Sequence, residues 1–220
     1  GFLSGEMSVE DLVEGRLLKM DATSRKITAE MAMSQKIEIV QAVKDIPMYF
    51  PVIDERWPFA TRCVPVMDFM REKLGVKMFF MDHMKYFYNE DALAKRVDER
   101  LVIEQTVLDM RLYAKKHGTP IFLAVQPKQI SSDEEVTADS LKGTSAIGQD
   151  ASVTLALDRP RLDKKHREET GSVYTDYVSL KIEKARHGGG NKSIKLKLNP
   201  DIARFELYKA TPPPASYLEK

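Results

Sequence analysis

Three apolar runs in this sequence each finish on a side chain able to handle a polarised oxygen: Glu6 after "FLSG", Asp82 after "KMFFM" and Gln126 after "IFLAV". A carboxylate can orient an attacking water or hold Mg²⁺, and an amide can sense the charge of a bound group. Further along, "KIEKARHGGG" carries Lys184 and Arg186, which on a strand project from one face. Carboxylates, an amide and a fixed Lys/Arg pair are the parts of a phosphoryl-transfer site with an arginine finger. Each also has a plain structural use. An acid at a strand end caps the next helix, and basic residues decorate the wet face of a hairpin.

These side chains meet only if the runs before them are neighbouring strands. Val76 to Met81 is too short for a helix and too uniformly apolar for a half-exposed strand, which suits a parallel strand covered on both faces. "GFLS" and "PIFLAV" have the same character. Open parallel sheets bind ligands beyond the carboxyl ends of their strands. Helical patterns separate the runs. Ser8 with Asp11 opens one that continues through Leu17, and Thr28 to Lys44 carries a second stripe. A third passes through "ATRCVPVMDFMREKLG" and stops on Gly75. A fourth, from about Asp91 to His117, shows Leu101, Ile103, Val107, Leu108 and Leu112 as its apolar face.

The remaining elements are shorter. "PMYFPVI" reads as a strand fenced by prolines, "SLKGTSAIGQDA" as a short helix and "SVTLALD" as another buried strand. Pro127 to Asp139 is a polar, aperiodic loop, and Arg159 to Glu169 is a charged excursion. Around "HGGGN" apolar and polar residues alternate, the pattern of an antiparallel hairpin with a further strand after it. The expected fold is α/β: a mostly parallel sheet flanked by helices, with an antiparallel C-terminal hairpin on its edge.

Composition narrows the function classes. With 220 residues and a net charge of +1, the chain suits one domain whose nucleic-acid contacts, if any, come from a local basic patch. One cysteine, Cys63, excludes a disulfide framework and a cysteine-built metal site. The histidines at 83, 117, 166 and 187 lack metal-ligand spacing. No apolar run approaches the ~20 residues of a membrane-spanning helix.

The order of the blocks resembles the RecA-like ATPase core of hexameric replicative DNA helicases, the DnaB-like family with phage primase-helicases and Twinkle. "FLSGEMSVEDLVEGRLL" is similar to the family's strand, glutamate and helix start. "MFFMDHMKYF" looks like its Walker B strand, with an Asp-His pair closest to the phage primase-helicases. "IFLAVQPKQ" stands where the family's sensor strand stands. "LKGTSAIGQDASVTLALDR" is the most specific match, and "IEKARHGGGNKSIKLKLNPDIARFE" resembles the closing hairpin with its Lys-x-Arg finger. Together these run from Phe2 to about Glu206.

The resemblance implies roles. Glu6 would polarise the attacking water, Asp82 would bind Mg²⁺, and Gln126 would couple the γ-phosphate to the loop after it. Arg186, with Lys184 beside it, would reach the ATP, or other NTP, of a neighbouring subunit, which requires a homo-oligomer, in this family a hexameric ring. Lys128 and Lys142 would contact single-stranded DNA, although Asp133, Glu134, Glu135 and Asp139 make the first of these segments acidic. A primase domain or partner accompanies some members, and the location implied is bacterial or phage-infected cytoplasm, or less directly the mitochondrial matrix.

Residues 1–209 would form the ATPase domain and 210–220 a proline-containing tail. The family's phosphate loop, G-x-x-x-x-G-K-S/T, would stand ahead of "FLSGEMS". "GGGNKS" is similar to it, but joins two strand-like segments and so reads as a turn, with no helix N-terminus to cradle phosphate. The 220 residues are therefore expected to be a later part of such a domain, and by themselves neither to bind nucleotide tightly nor to hydrolyse it. Two other readings stay open: a recombinase or clock-type ATPase of the same core, and a non-catalytic assembly module.

Overall fold

The structure, a computed structural model, describes residues 1–8, 11, 48–53, 56–88, 96–127, 146–160, 168, 174–175, 177–199 and 204–208. The body of the helix expected after Ser8, the helix expected from Thr28 to Lys44, most of the Pro127–Asp139 loop and the tail lie outside the described residues.

Three parallel strands form one sheet in the order β1 (Phe2–Ser4), β2 (Phe79–Asp82), β3 (Ile121–Leu123). Successive side chains alternate between faces. Leu3, Phe79 and Met81 are fully buried on one side, against Met67, Met70, Val102, Ile103, Val107 and Met110. On the other side Phe80 stacks between Phe2, at 6.2 Å, and Phe122, at 4.8 Å. Phe122 is exposed, so the expected cover on both faces is corrected to cover on one. The second face is apolar too, but its rings shield mainly one another.

Helix α1 (Val64–Lys73) follows a π-helical turn at Phe59–Cys63. It ends as expected: Gly75 takes a φ of +68°, and the Val76 N–H closes back on the Met70 carbonyl at 3.1 Å. Cys63 is buried with its thiol donating to the Trp57 carbonyl at 3.2 Å, and burial pushes it up to about 12. It is a packing residue, not a nucleophile.

Helix α2 (Glu99–His117) starts later than its pattern suggests, because the Asp98 side chain accepts from the Arg100 N–H at 2.8 Å and caps it there. Its buried face also differs. Ile103 and Val107 are buried as expected, joined by Val102, Thr106, Met110 and Tyr113, while Leu101, Leu108 and Leu112 are exposed. Two apolar stripes satisfy the helical period, and packing selects the one with the aromatic ring, where Tyr113 meets Phe59 edge-on at 6.0 Å.

Residues 48–53 form no strand. They run beside β1, held by the Phe2 N–H on the Tyr49 carbonyl at 2.9 Å, and Pro51 has no N–H with which to extend a ladder.

The second sheet is antiparallel throughout, in the order β4 (Val153–Asp158), β5 (Val178–Ala185), β6 (Lys192–Asn199), β7 (Arg204–Leu207). A short helix, α3 (Ala146–Asp150), leads into it. The β5–β6 turn holds Gly188, Gly189 and Asn191 at φ +94°, +91° and +58°, which makes "HGGGN" the hairpin turn expected. β4 is a correction. It belongs to this sheet and not to the parallel one, and Val153, Leu155 and Leu157 are 54, 52 and 50% exposed. A short apolar run does not by itself say which kind of sheet will take it. Among the described residues no helix is long and apolar enough to cross a membrane.

Candidate active site

The tips of β1 and β2 lie side by side, with Ser4 opposite Asp82. One more bond extends this ladder, from the Gly5 N–H to the Asp82 carbonyl at 2.9 Å. The chain then turns. Ser4 Oγ accepts from the Met7 N–H, and Ser8 Oγ accepts from the Asp11 N–H, each at 3.0 Å, the second being the helix start expected at Ser8. Gly5 is required here, since a Cβ would lie 2.3 Å from Tyr86 Cγ.

This turn delivers Glu6 to the end of β2. Its Oε2 lies 3.0 Å from Nδ1 of His83, and Glu6, Asp82 and His83 each offer a ligand atom within 4.8 Å of the others. Burial holds the Asp82 carboxyl above the usual range, the charge of Glu6 adds to this, and His83 opposes it. Two hard oxygen donors this close together suit Mg²⁺, which would relieve the repulsion between them.

The raised Asp82 carboxyl has a sign-definite consequence. Its charged form is penalised in the folded chain, so this cost is absent below the unfolded carboxylate range and complete above the folded pKa. Asp82→Asn removes the cost and raises the melting temperature at pH 7 by about 2–4 °C, a gain that fades as the pH is lowered through the carboxylate range. Thermal scans at neutral and acidic pH check this, and an equal gain at both contradicts it.

Gln126 stands just past β3, exposed, in a segment tied to the β2 end by the Ala124 N–H on the Met81 carbonyl at 2.9 Å and the Met84 N–H on the Ala124 carbonyl at 3.0 Å. It therefore shares the carboxyl edge of the sheet, with no hydrogen bond to Glu6 or Asp82 among the described residues. Lys128 and Lys142 lie outside the described residues.

Lys184, in β5, and Arg186, just beyond it, come together elsewhere. Lys184 Nζ donates to the carbonyls of Gly148 at 2.8 Å and Gln149 at 2.5 Å. Arg186 Nη2 donates to those of Gln149 at 3.1 Å and Asp150 at 3.3 Å. The pair thus sits on unsatisfied carbonyls at the end of α3, and α3 is tied to α2 by the Arg111–Asp150 ion pair. Glu6 with Asp82, and Lys184 with Arg186, are two separate groups among the described residues.

Sequence reasoning noted His83 only as the second half of the Asp-His pair and gave it no role; its side chain is 8% exposed against 50% for Glu6. The one available signal was a histidine directly after the acid of a buried strand.

The sequence model of the family described as "DnaB-like helicase C terminal domain" matches residues 1–207. The replicative DNA helicase DnaB of Mycoplasma genitalium is 32% identical over 214 residues, covering 93% of this chain and 44% of the relative. A solved DnaB-like replicative helicase, described with its interactions with primase, superposes with a TM-score of 0.70 at 16% identity over 93% of this chain and 49% of its own. A second solved structure, an ATPase domain, gives 0.72 at 17% identity over 94% and 74%. The chain spans about half the length of the first two relatives. The two structures speak for the fold, a RecA-like α/β arrangement of one parallel and one antiparallel sheet. With a match that runs from its first residue to the end of β7, this chain belongs to the DnaB-like helicase C-terminal domain family.

Proposed function

We propose that this chain is the water-activating and finger-bearing part of a replicative helicase motor, one that couples NTP hydrolysis to movement on single-stranded DNA and to duplex unwinding. The observation that carries the reading is the meeting of Glu6 and Asp82 at adjacent parallel strand tips.

In this reading Asp82 would hold Mg²⁺, directly or through water, and the ion would supply charge neutralisation for the phosphates of bound ATP or another NTP. Glu6 orients the attacking water and takes its proton. Gln126, exposed at the same sheet edge, senses the γ-phosphate and passes its presence to the segment after Pro127. Lys184 and Arg186 serve a neighbouring subunit's nucleotide, which makes the working form a homo-oligomeric ring, by family habit a hexamer. Lys128 and Lys142 contact the DNA backbone, and a primase is a candidate partner. Residues 1–209 act as the ATPase portion, with 210–220 as a tail.

The 220 residues contain no G-x-x-x-x-G-K-S/T pattern, the sequence by which this kind of motor supplies amides and a lysine to the phosphates. The test is NTP hydrolysis with and without single-stranded DNA. The full-length protein turns over NTP faster on DNA and displaces a strand from a forked duplex, whereas the 220-residue polypeptide stays at background. DNA-stimulated turnover without strand displacement favours the recombinase or clock-type alternative. A full-length protein without turnover favours an assembly module.

A further inference from the structure

We infer that His83 is a positioning residue for Glu6: its Nδ1–H donates to the carboxylate and sets the direction in which Glu6 faces the water. The inference rests on the reading of Glu6 as the water-activating base. Glu6 is half exposed and follows a glycine, whereas the His83 side chain is buried. Its ring meets Tyr86 edge-on at 5.1 Å and 79°. Its backbone is gripped through the Gly5 N–H on the Asp82 carbonyl, the Tyr86 N–H on its own carbonyl at 3.0 Å, and the Met84 N–H on the Ala124 carbonyl. A buried ring thus points one nitrogen at a half-exposed carboxylate, 3.0 Å away.

The second ring nitrogen decides which way the bond runs. Nε2 is buried and has no hydrogen-bond partner. A proton on Nε2 would bury an unsatisfied donor and leave the Nδ1 lone pair facing a carboxylate oxygen, two acceptors in opposition. A proton on Nδ1 removes both faults, leaving only a weakly demanding lone pair inside. A proton on Nδ1 is therefore the one that this pocket selects, and it is the one that orients Glu6. The arrangement is the reverse of a carboxylate steering a histidine, with the same purpose of fixing a reactive group through a locked neighbour.

Two measurements test it. In long-range ¹H–¹⁵N spectra of the histidine-labelled 220-residue chain, His83 shows a protonated Nδ1 and a bare Nε2, and Glu6→Ala shifts it toward the other tautomer. An Nε2–H form with Glu6 intact overturns the inference. In the full-length protein, His83→Leu lowers kcat for NTP hydrolysis about 10–100-fold with KM unchanged, and His83→Asn, which keeps an N–H near the Nδ1 position, restores most of it. Equal losses in both variants, or a change in KM alone, overturn it as well. Failure of the underlying reading looks different: Glu6→Gln would leave turnover intact while the Nδ1–H signal persisted. If Glu6→Gln abolishes turnover and His83→Leu does not change it, only the positioning role falls.

Discussion

Arg186→Ala in the full-length protein lowers NTP turnover about 10³–10⁵-fold, the usual contribution of a finger that meets charge developing on the transferred phosphoryl group. The subunit itself loses little. The two bonds from Arg186 to the α3 carbonyls are exposed, and each is worth about 1 kcal/mol or less. Unfolding midpoints should therefore stay close to the parent value while turnover collapses. Arg186→Lys recovers only part of the rate, because an ammonium lacks the planar fork that grips two oxygens at once. The decisive measurement mixes two dead proteins. Rings assembled from Arg186→Ala and Glu6→Gln subunits regain turnover if the finger acts across the interface, since some interfaces then join an intact Glu6 to an intact Arg186. No recovery means that both residues serve the same subunit's nucleotide, and a loss below tenfold means that Arg186 is no finger.

Glu6→Gln is the second large effect, with single-turnover hydrolysis slowed about 10²–10⁴-fold, the range of a lost general base. The amide is nearly isosteric and its oxygen still accepts from Nδ1 of His83, so the side chain keeps its place but cannot take a proton. Nucleotide affinity should change little, which separates loss of chemistry from loss of binding. The substitution also removes the one charge that adds to the effect of burial in raising the Asp82 carboxyl, so the folded chain gains slightly in stability at neutral pH. A Glu6→Gln protein that hydrolyses NTP at the parent rate contradicts the role.

Much of this site was legible because strand ends are legible. A run such as "KMFFMD" changes from apolar to acidic within one residue, and in a parallel sheet that change falls at the carboxyl edge, where β1, β2 and β3 bring Glu6, Asp82 and Gln126. The turn at "HGGGN" was equally plain, because positive φ at successive positions has few sequence solutions. What failed was everything decided by packing. Leucine at 101, 108 and 112 outscored Thr106 and Tyr113 in hydrophobicity, yet the latter pair faces the core, where Thr106 satisfies its hydroxyl on the Val102 carbonyl and Tyr113 reaches Asp68. "SVTLALD" was read as buried for the same reason, yet Val153, Leu155 and Leu157 are exposed, as composition does not name what covers a strand. The pairing of His83 with Glu6 was missed because the two stand 77 positions apart in sequence.

The antiparallel sheet has a practical bearing on how this polypeptide behaves in a tube. Leu155 and Leu157 on β4, Ile194 and Leu198 on β6, and Phe205 and Leu207 on β7 are all exposed, and such greasy tiling glues copies together without regard to symmetry. Light scattering from the 220-residue material will report mass that grows with concentration, and that growth is no witness for a closed assembly. A fixed stoichiometry, holding across a hundredfold dilution, is the only weight that would count.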